Sequence, residues 1–225
     1  MIKTMALLTK RPDLSLAEFD AHWHRPHGDP LTLAISIVRH AVQNSRLAAA
    51  DDLIDAPYHG IPEVWLDDPG SALALQDDPA YAEADADQVH FMDIPKLRFL
   101  ITAESAVDGS DGPGEATGVK LVRLLRADEG LSGDDFDRRF ADSADRDRGR
   151  AVGALRHVRS RSIPESYVDG AQPEFDAARE LWFPDLEALR AAPEKDADGW
   201  RELITPSCAD SARSVTFIAA ERRLR

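Results

Sequence analysis

Histidine is the side chain best suited to moving protons near neutral pH, and four of the seven in this chain, His22, His24, His27 and His40, lie between positions 22 and 40. His27 stands out, because it sits between Pro26 and Gly28, where a helix must end and a pocket rim can form. Its two open readings are a proton-transfer group and a loop histidine bonded to a carbonyl. His24 follows Trp23, and helical spacing turns it away from the apolar face toward solvent. His22 and His24 are two residues apart, which on a helix separates them by about 200°, so they cannot share a metal. His24 and His27 could, but a third ligand would have to come from elsewhere, and no metal site is expected. No Gly-rich phosphate loop and no paired-cysteine spacing is present, so any chemistry should need no cofactor. Cys208 is the single cysteine and reads as a small packed residue.

The elements that must position these groups are legible from a repeat. A shift of 117 positions lays residues 2–20 over residues 119–137 and matches Lys3 with Lys120, Leu7-Leu8 with Leu124-Leu125, Leu14-Ser15 with Leu131-Ser132 and Phe19-Asp20 with Phe136-Asp137. The same shift carries Arg39-His40 onto Arg156-His157, Ser45 onto Ser162, Glu63 onto Glu180 and Trp65 onto Trp182. Residues 108–117, rich in Gly, Ser, Asp and Pro, read as a linker between copies spanning residues 1–107 and 118–225.

Each copy opens with a strand, at residues 2–8 and 119–125. Ser15-Leu16-Ala17-Glu18 has the form of a capping box, with Ser132-Gly133-Asp134-Asp135 a weaker version. Leu16, Phe19 and Trp23 then share a helix face, and Pro26 ends or kinks that helix by Arg25. Further strands are expected at residues 38–47 and 60–66, a second helix from Asp68-Pro69 to Gln76, and a closing strand at residues 95–101, matched by residues 215–218. Strand, helix, strand, strand, helix, strand is the ferredoxin-like order: four antiparallel strands with both helices on one face. The other face should be apolar, and two such sheets facing each other would bury it. The expected class is α+β, with two ferredoxin-like βαββαβ repeats packed sheet to sheet.

Lys10-Arg11, Leu14-Ser15, Glu18-Phe19, Trp23, His24, His27-Gly28-Asp29-Pro30-Leu31 and Val38-Arg39-His40-Ala41-Val42-Gln43-Asn44 together resemble the EthD-like family of dimeric α/β-barrel proteins. The likeness covers the first copy well and the second only through its skeleton. It implies a barrel usually assembled from two chains, here from one as a pseudo-dimer or further as a homodimer. It matches His27 to the family's recurring histidine. The wider superfamily includes polyketide cyclases, dehydratases, lactone isomerases and cofactor-free oxygenases, which suggests an enzyme of lyase, cyclase or isomerase type, with a binding or carrier protein, or a cofactor-free monooxygenase, as the alternatives.

The catalytic candidates are therefore His27, His40 and His24, with Trp23, Asn44, Trp65 and Arg39 expected to touch substrate. His40, Val42 and Asn44 share one face of their strand, and Arg39, Ala41 and Gln43 the other. Trp65, like Trp182, either walls a pocket or fills core. The second copy carries Phe140-Ala141-Asp142-Ser143-Ala144-Asp145 where the first has its histidines, which suggests one working pocket and one scaffold. The charged run Asp145-Arg146-Asp147-Arg148 reads as a solvated face.

Composition narrows the partner. A net charge of -14 argues against nucleic acid and anionic membranes, no apolar run reaches the length of a membrane span, and residues 1–4 enter a strand without a signal-peptide pattern. The expected setting is cytoplasmic, and the expected partner a small, largely apolar or aromatic molecule.

Overall fold

The computed structural model describes residues 1–108, 118–142, 144–167 and 172–224. Residues 109–117, nearly all of the expected linker, lie outside them. Eight strands are formed, β1 (Ile2–Leu7), β2 (His40–Arg46), β3 (Gly60–Leu66), β4 (Arg98–Asp108), β5 (Val119–Leu125), β6 (Arg156–Ser162), β7 (Ala177–Phe183) and β8 (Val215–Arg223). The helices are α1 (Leu16–His22), α2 (Pro69–Ala74), α3 (Pro79–Asp87), α4 (Gly133–Phe140), α5 (Asp145–Ala151), α6 (Leu186–Arg190), α7 (Ala192–Lys195) and α8 (Ala197–Ile204). None of the helices is long and apolar enough to cross a membrane among the described residues.

All strand pairs are antiparallel, and the sheet closes on itself in the order β1-β3-β2-β8-β5-β7-β6-β4. Within each half the first strand pairs with the third and fourth, and the second with the third. The halves are joined edge to edge, β2 to β8 and β4 to β6, so the sheets do not merely face each other: hydrogen bonds make them one barrel. Closure leaves no edge strand exposed. β5 and β7 are buried at every position because one face looks into the lumen and the other lies under helices.

The lumen differs from the expected apolar chamber. At one end Met5, Leu7, Ile61, Leu100, Val122, Leu124 and Phe217 form an apolar cluster. Next to it lies a fully buried ionic layer. Lys3 on β1 pairs with Glu180 on β7, and Lys120 on β5 pairs with Glu63 on β3 at 2.5 Å and with Glu180 at 2.8 Å. β1 and β7 are not neighbours, nor are β5 and β3, so the Lys3–Glu180 and Lys120–Glu63 bonds cross the lumen.

The closing strands run further than expected, and β4, over Arg98–Asp108, also starts later, with Pro95 in a short helical turn. The far part of β4 pairs with β6 of the other half, a partner that local patterning cannot reveal. One match of the repeat is also corrected. His40 stands opposite Trp65 and Arg156 opposite Trp182, so the structural counterpart of His40 is Arg156 and not His157. A one-residue offset in a strand reverses the face. His157 accordingly turns toward the helices, against Gly149, while His40 faces the lumen.

Candidate active site

In the first half, a layer of helices covers the outer face of β1 to β4. α1 begins as expected, with Ser15 and Glu18 completing a reciprocal capping box, and presents Phe19 and Trp23 to a cluster with Leu8, Phe91 and Met92. Beyond α1 runs an irregular helical stretch, Trp23–Thr32, whose backbone leaves helical geometry at Arg25 and Asp29. Proline at position 26 forces the first of these breaks. The stretch is anchored to β2 by the buried Gln43, whose Nε2 donates to the Trp23 carbonyl at 2.7 Å. The approach is close: a Cβ on Gly28 would lie 2.5 Å from that same Nε2.

This anchoring sets His27 on the wall of a cavity of about 360 Å³. Its walls are mostly apolar and aromatic, with Trp23, Phe91, Phe99, Tyr81 and Tyr167 among them. The His27 ring packs on Phe91, centroids 4.8 Å apart, and its Nδ1 lies 3.1 Å from Oδ2 of Asp87. Asp87 ends α3, a helix started by the Asp78 cap and Pro79. The same carboxylate takes Nε2 of His22 at 3.1 Å. Desolvation by burial lowers the pKa of His27, and the bond and charge of Asp87 only partly oppose it. The imidazole is thus held neutral with its Nδ1 proton on Asp87, leaving Nε2 as the nitrogen able to accept a proton from an occupant.

The other expected site residues separate. Trp23 lines the cavity with His27, and His24 does not; the buried Nδ1 of His24 has no hydrogen-bond partner. Strand alternation places Gln43 toward the helices and His40 and Asn44 toward the lumen, on the far side of the sheet from His27. There Asn44 donates to Glu63 at 2.9 Å, and His40 meets the edge of Trp65 at 6.4 Å. Neither His40, Asn44 nor Trp65 reaches the cavity, because all three point through the opposite face of the sheet. Arg39 is exposed, in a forked pair with Asp67. The grouping of His40 and Asn44 on one face was legible from alternation; which face looked at the pocket was not.

Three contributors had no sequence signal of their own. Asp87 closes an Ala- and Asp-rich helix with only Ala84 buried, so no apolar stripe pointed to it. Phe91 follows α3 in a short turn. Tyr167 comes from the other half: its hydroxyl accepts from the Ile101 amide at 2.9 Å and donates to the Phe99 carbonyl at 3.3 Å, closing one wall. Among the described residues no group of three or more His, Cys, Asp or Glu side chains is arranged to hold a metal ion.

Residues 11–95 match the model of the EthD domain, a span that includes His27, Gln43, Asp87 and Phe91. The first half carries an EthD domain. Solved structures extend the likeness to the second half. An anthrone oxidase-like protein superposes with a TM-score of 0.60 at 10% identity, covering 99% of this chain and 93% of that one. A protein of Fusobacterium nucleatum subsp. nucleatum ATCC 25586, provisionally assigned as a monooxygenase, gives 0.58 at 7% identity over 100% and 92%. A variant chlorite dismutase from Candidatus Nitrospira defluvii gives 0.55 at 9% over 99% and 92%. At such identities the likeness is one of fold. No curated protein matches the chain in sequence.

Proposed function

We propose that the chain is an enzyme that removes a proton from a small, largely apolar or aromatic molecule held in the cavity of the EthD domain. His27 acts as the general base, and Asp87 sets its tautomer. The observation that carries this reading is the 3.1 Å contact between His27 Nδ1 and Asp87 in the wall of an apolar, aromatic cavity. A carboxylate behind a neutral imidazole orients the ring and stabilises the imidazolium that forms when Nε2 takes the proton. Apolar walls exclude water, so the nascent substrate anion is not reprotonated at random. Dehydration, cyclisation, isomerisation and cofactor-free oxygenation can each begin with this step. Similar folds, an anthrone oxidase-like protein and a provisional monooxygenase among them, support a substrate with an acidic ring carbon and weigh toward the oxygenation branch over lyase chemistry.

Anthrone is a suitable probe, since its methylene proton is acidic and its rings are apolar. Hydrogen–deuterium exchange at that methylene, followed by NMR with the oxidised product measured in air, should be faster with the wild-type chain. His27→Ala should lower the rate by about 10²–10⁴-fold. Retention of full exchange activity in His27→Ala would end the assignment. Tight binding with release of unchanged ligand would favour a carrier protein.

The two halves also read as diverged ferredoxin-like repeats, residues 1–107 and 118–225. In support, Lys3 pairs with Trp65 across β1 and β3 just as Lys120 pairs with Trp182 across β5 and β7. The barrel closes with the chain's own strands, which supports a functional monomer.

A further inference from the structure

Of the run Asp145-Arg146-Asp147-Arg148, read from sequence as a solvated face, Arg146 and Asp147 are exposed, while Asp145 and Arg148 turn into the helix layer of the second half. Asp145 is 1% exposed. Three guanidinium groups converge on its carboxylate: Arg179 at 2.8 Å, Arg148 at 3.1 Å and Arg159 at 3.4 Å. Arg148 also holds Asp142 at 2.6 Å. Asp142, Asp145, Arg148 and Arg179 border a cavity of about 420 Å³, whose wall further includes Arg138, Arg139, Glu202 and Cys208. It occupies the second half's helix layer, as the His27 cavity does in the first.

Four guanidinium groups stand on its wall, Arg138, Arg139, Arg148 and Arg179, against three carboxylates, Asp142, Asp145 and Glu202. Arg138 is held by Asp135 at 2.5 Å, and Arg139 makes no ion pair among the described residues. Arg179 is also unsatisfied. It is 1% exposed, its Nη1 reaches the Glu202 and Leu203 carbonyls at 3.3 Å, and its Nε has no hydrogen-bond partner among the described residues. A buried donor of this kind normally finds an acceptor.

We propose that this cavity binds an oxyanion, the carboxylate or phosphate of a small metabolite. Guanidinium groups offer paired donors that match such anions. The site is separate from the His27 cavity and does not depend on the function proposed for it.

Isothermal titration of the full chain at pH 7 and low ionic strength, with inorganic phosphate and separately with succinate, tests this. One equivalent of at least one anion should bind saturably. Arg139→Glu and Arg148→Gln, with folding verified by circular dichroism, should each weaken it at least tenfold, while Arg39→Glu in the first half should leave it unchanged. Saturation by phosphate alone supports a phosphate ester, by succinate alone a carboxylate, and by both a general oxyanion site. Absence of saturable binding, or equal weakening by Arg39→Glu, would reduce the guanidiniums to an internal ion cluster and overturn the proposal.

Discussion

His27 and Asp87 lie sixty positions apart in the chain and meet only because α3 folds back over the Trp23–Thr32 stretch. Since burial lowers the pKa of His27, the proposed base should stay deprotonated throughout the neutral range. The pH profile of anthrone exchange should then be flat at neutral pH and fall only below the ordinary histidine range, as Nε2 becomes protonated. Asp87→Asn removes the partner that raises this pKa, so the fall should move to still lower pH and the plateau should drop by about 10²–10⁴-fold. A profile falling above pH 7 would assign the base to another group. His157 tests linkage in the second half. Burial, with help from the charges of Arg179 and Arg159, pushes its pKa down from 6.5 to about 3. The unfolded chain therefore binds the proton more readily, and stability should decline as pH falls through this window, by about 1.4 kcal/mol per pH unit for one such group. His157→Leu should flatten the decline in urea titrations by about that slope.

At the level of the elements, the helix layer is fitted to the sheet at glycines. A Cβ on Gly60, at the start of β3, would lie 2.5 Å from Cζ3 of the Trp23 ring, which is itself buried in a cluster with Phe19 and Phe91. Trp23 cannot retreat without moving the stretch that carries His27. Gly60→Ala should destabilise the fold by about 1–3 kcal/mol and slow anthrone exchange together, measured by denaturant midpoint and rate. Unchanged exchange would show that the stretch is positioned independently of β3. The start of α1 was legible because the Ser15–Glu18 box is local chemistry, and Pro26 marked its limit for the same reason. α3 was not, since an Ala- and Asp-rich helix has no apolar stripe and acquires its role only when Asp87 meets the histidines.

Across the whole molecule, the barrel is tied through its centre by charges from both halves. Lys3 meets Glu180, Glu104 at 2.9 Å and Glu63 at 3.8 Å, while Lys120 meets Glu63, Glu180 and Glu221. Glu180 has both ammonium groups close by, which holds its carboxyl below the usual range against the opposing effect of burial. Glu63, close to one of them, is raised, first by burial and then by the charge of Glu180. Removing one cation leaves buried carboxylates short of a partner. Lys3→Met should cost about 3–5 kcal/mol, and Lys3→Met combined with Glu180→Gln should cost less than the sum of the two single changes. Strict additivity in urea midpoints would mean that the pair does not act across the lumen.

The sequence alone was enough to determine the order of the strands, the start of α1 and the likeness of the first half to the EthD family, and to name His27 and Trp23 as candidates, because capping, proline breaks and short motifs are written in neighbouring residues. Tertiary structure decided the rest. Which face of β2 meets the cavity, the one-residue offset that sets His40 against Arg156, the Asp87 partner of His27 and the Tyr167 wall all depend on contacts between segments far apart in the chain. Periodicity shows that a residue will face one way or the other; only the closed barrel determines which way is the lumen.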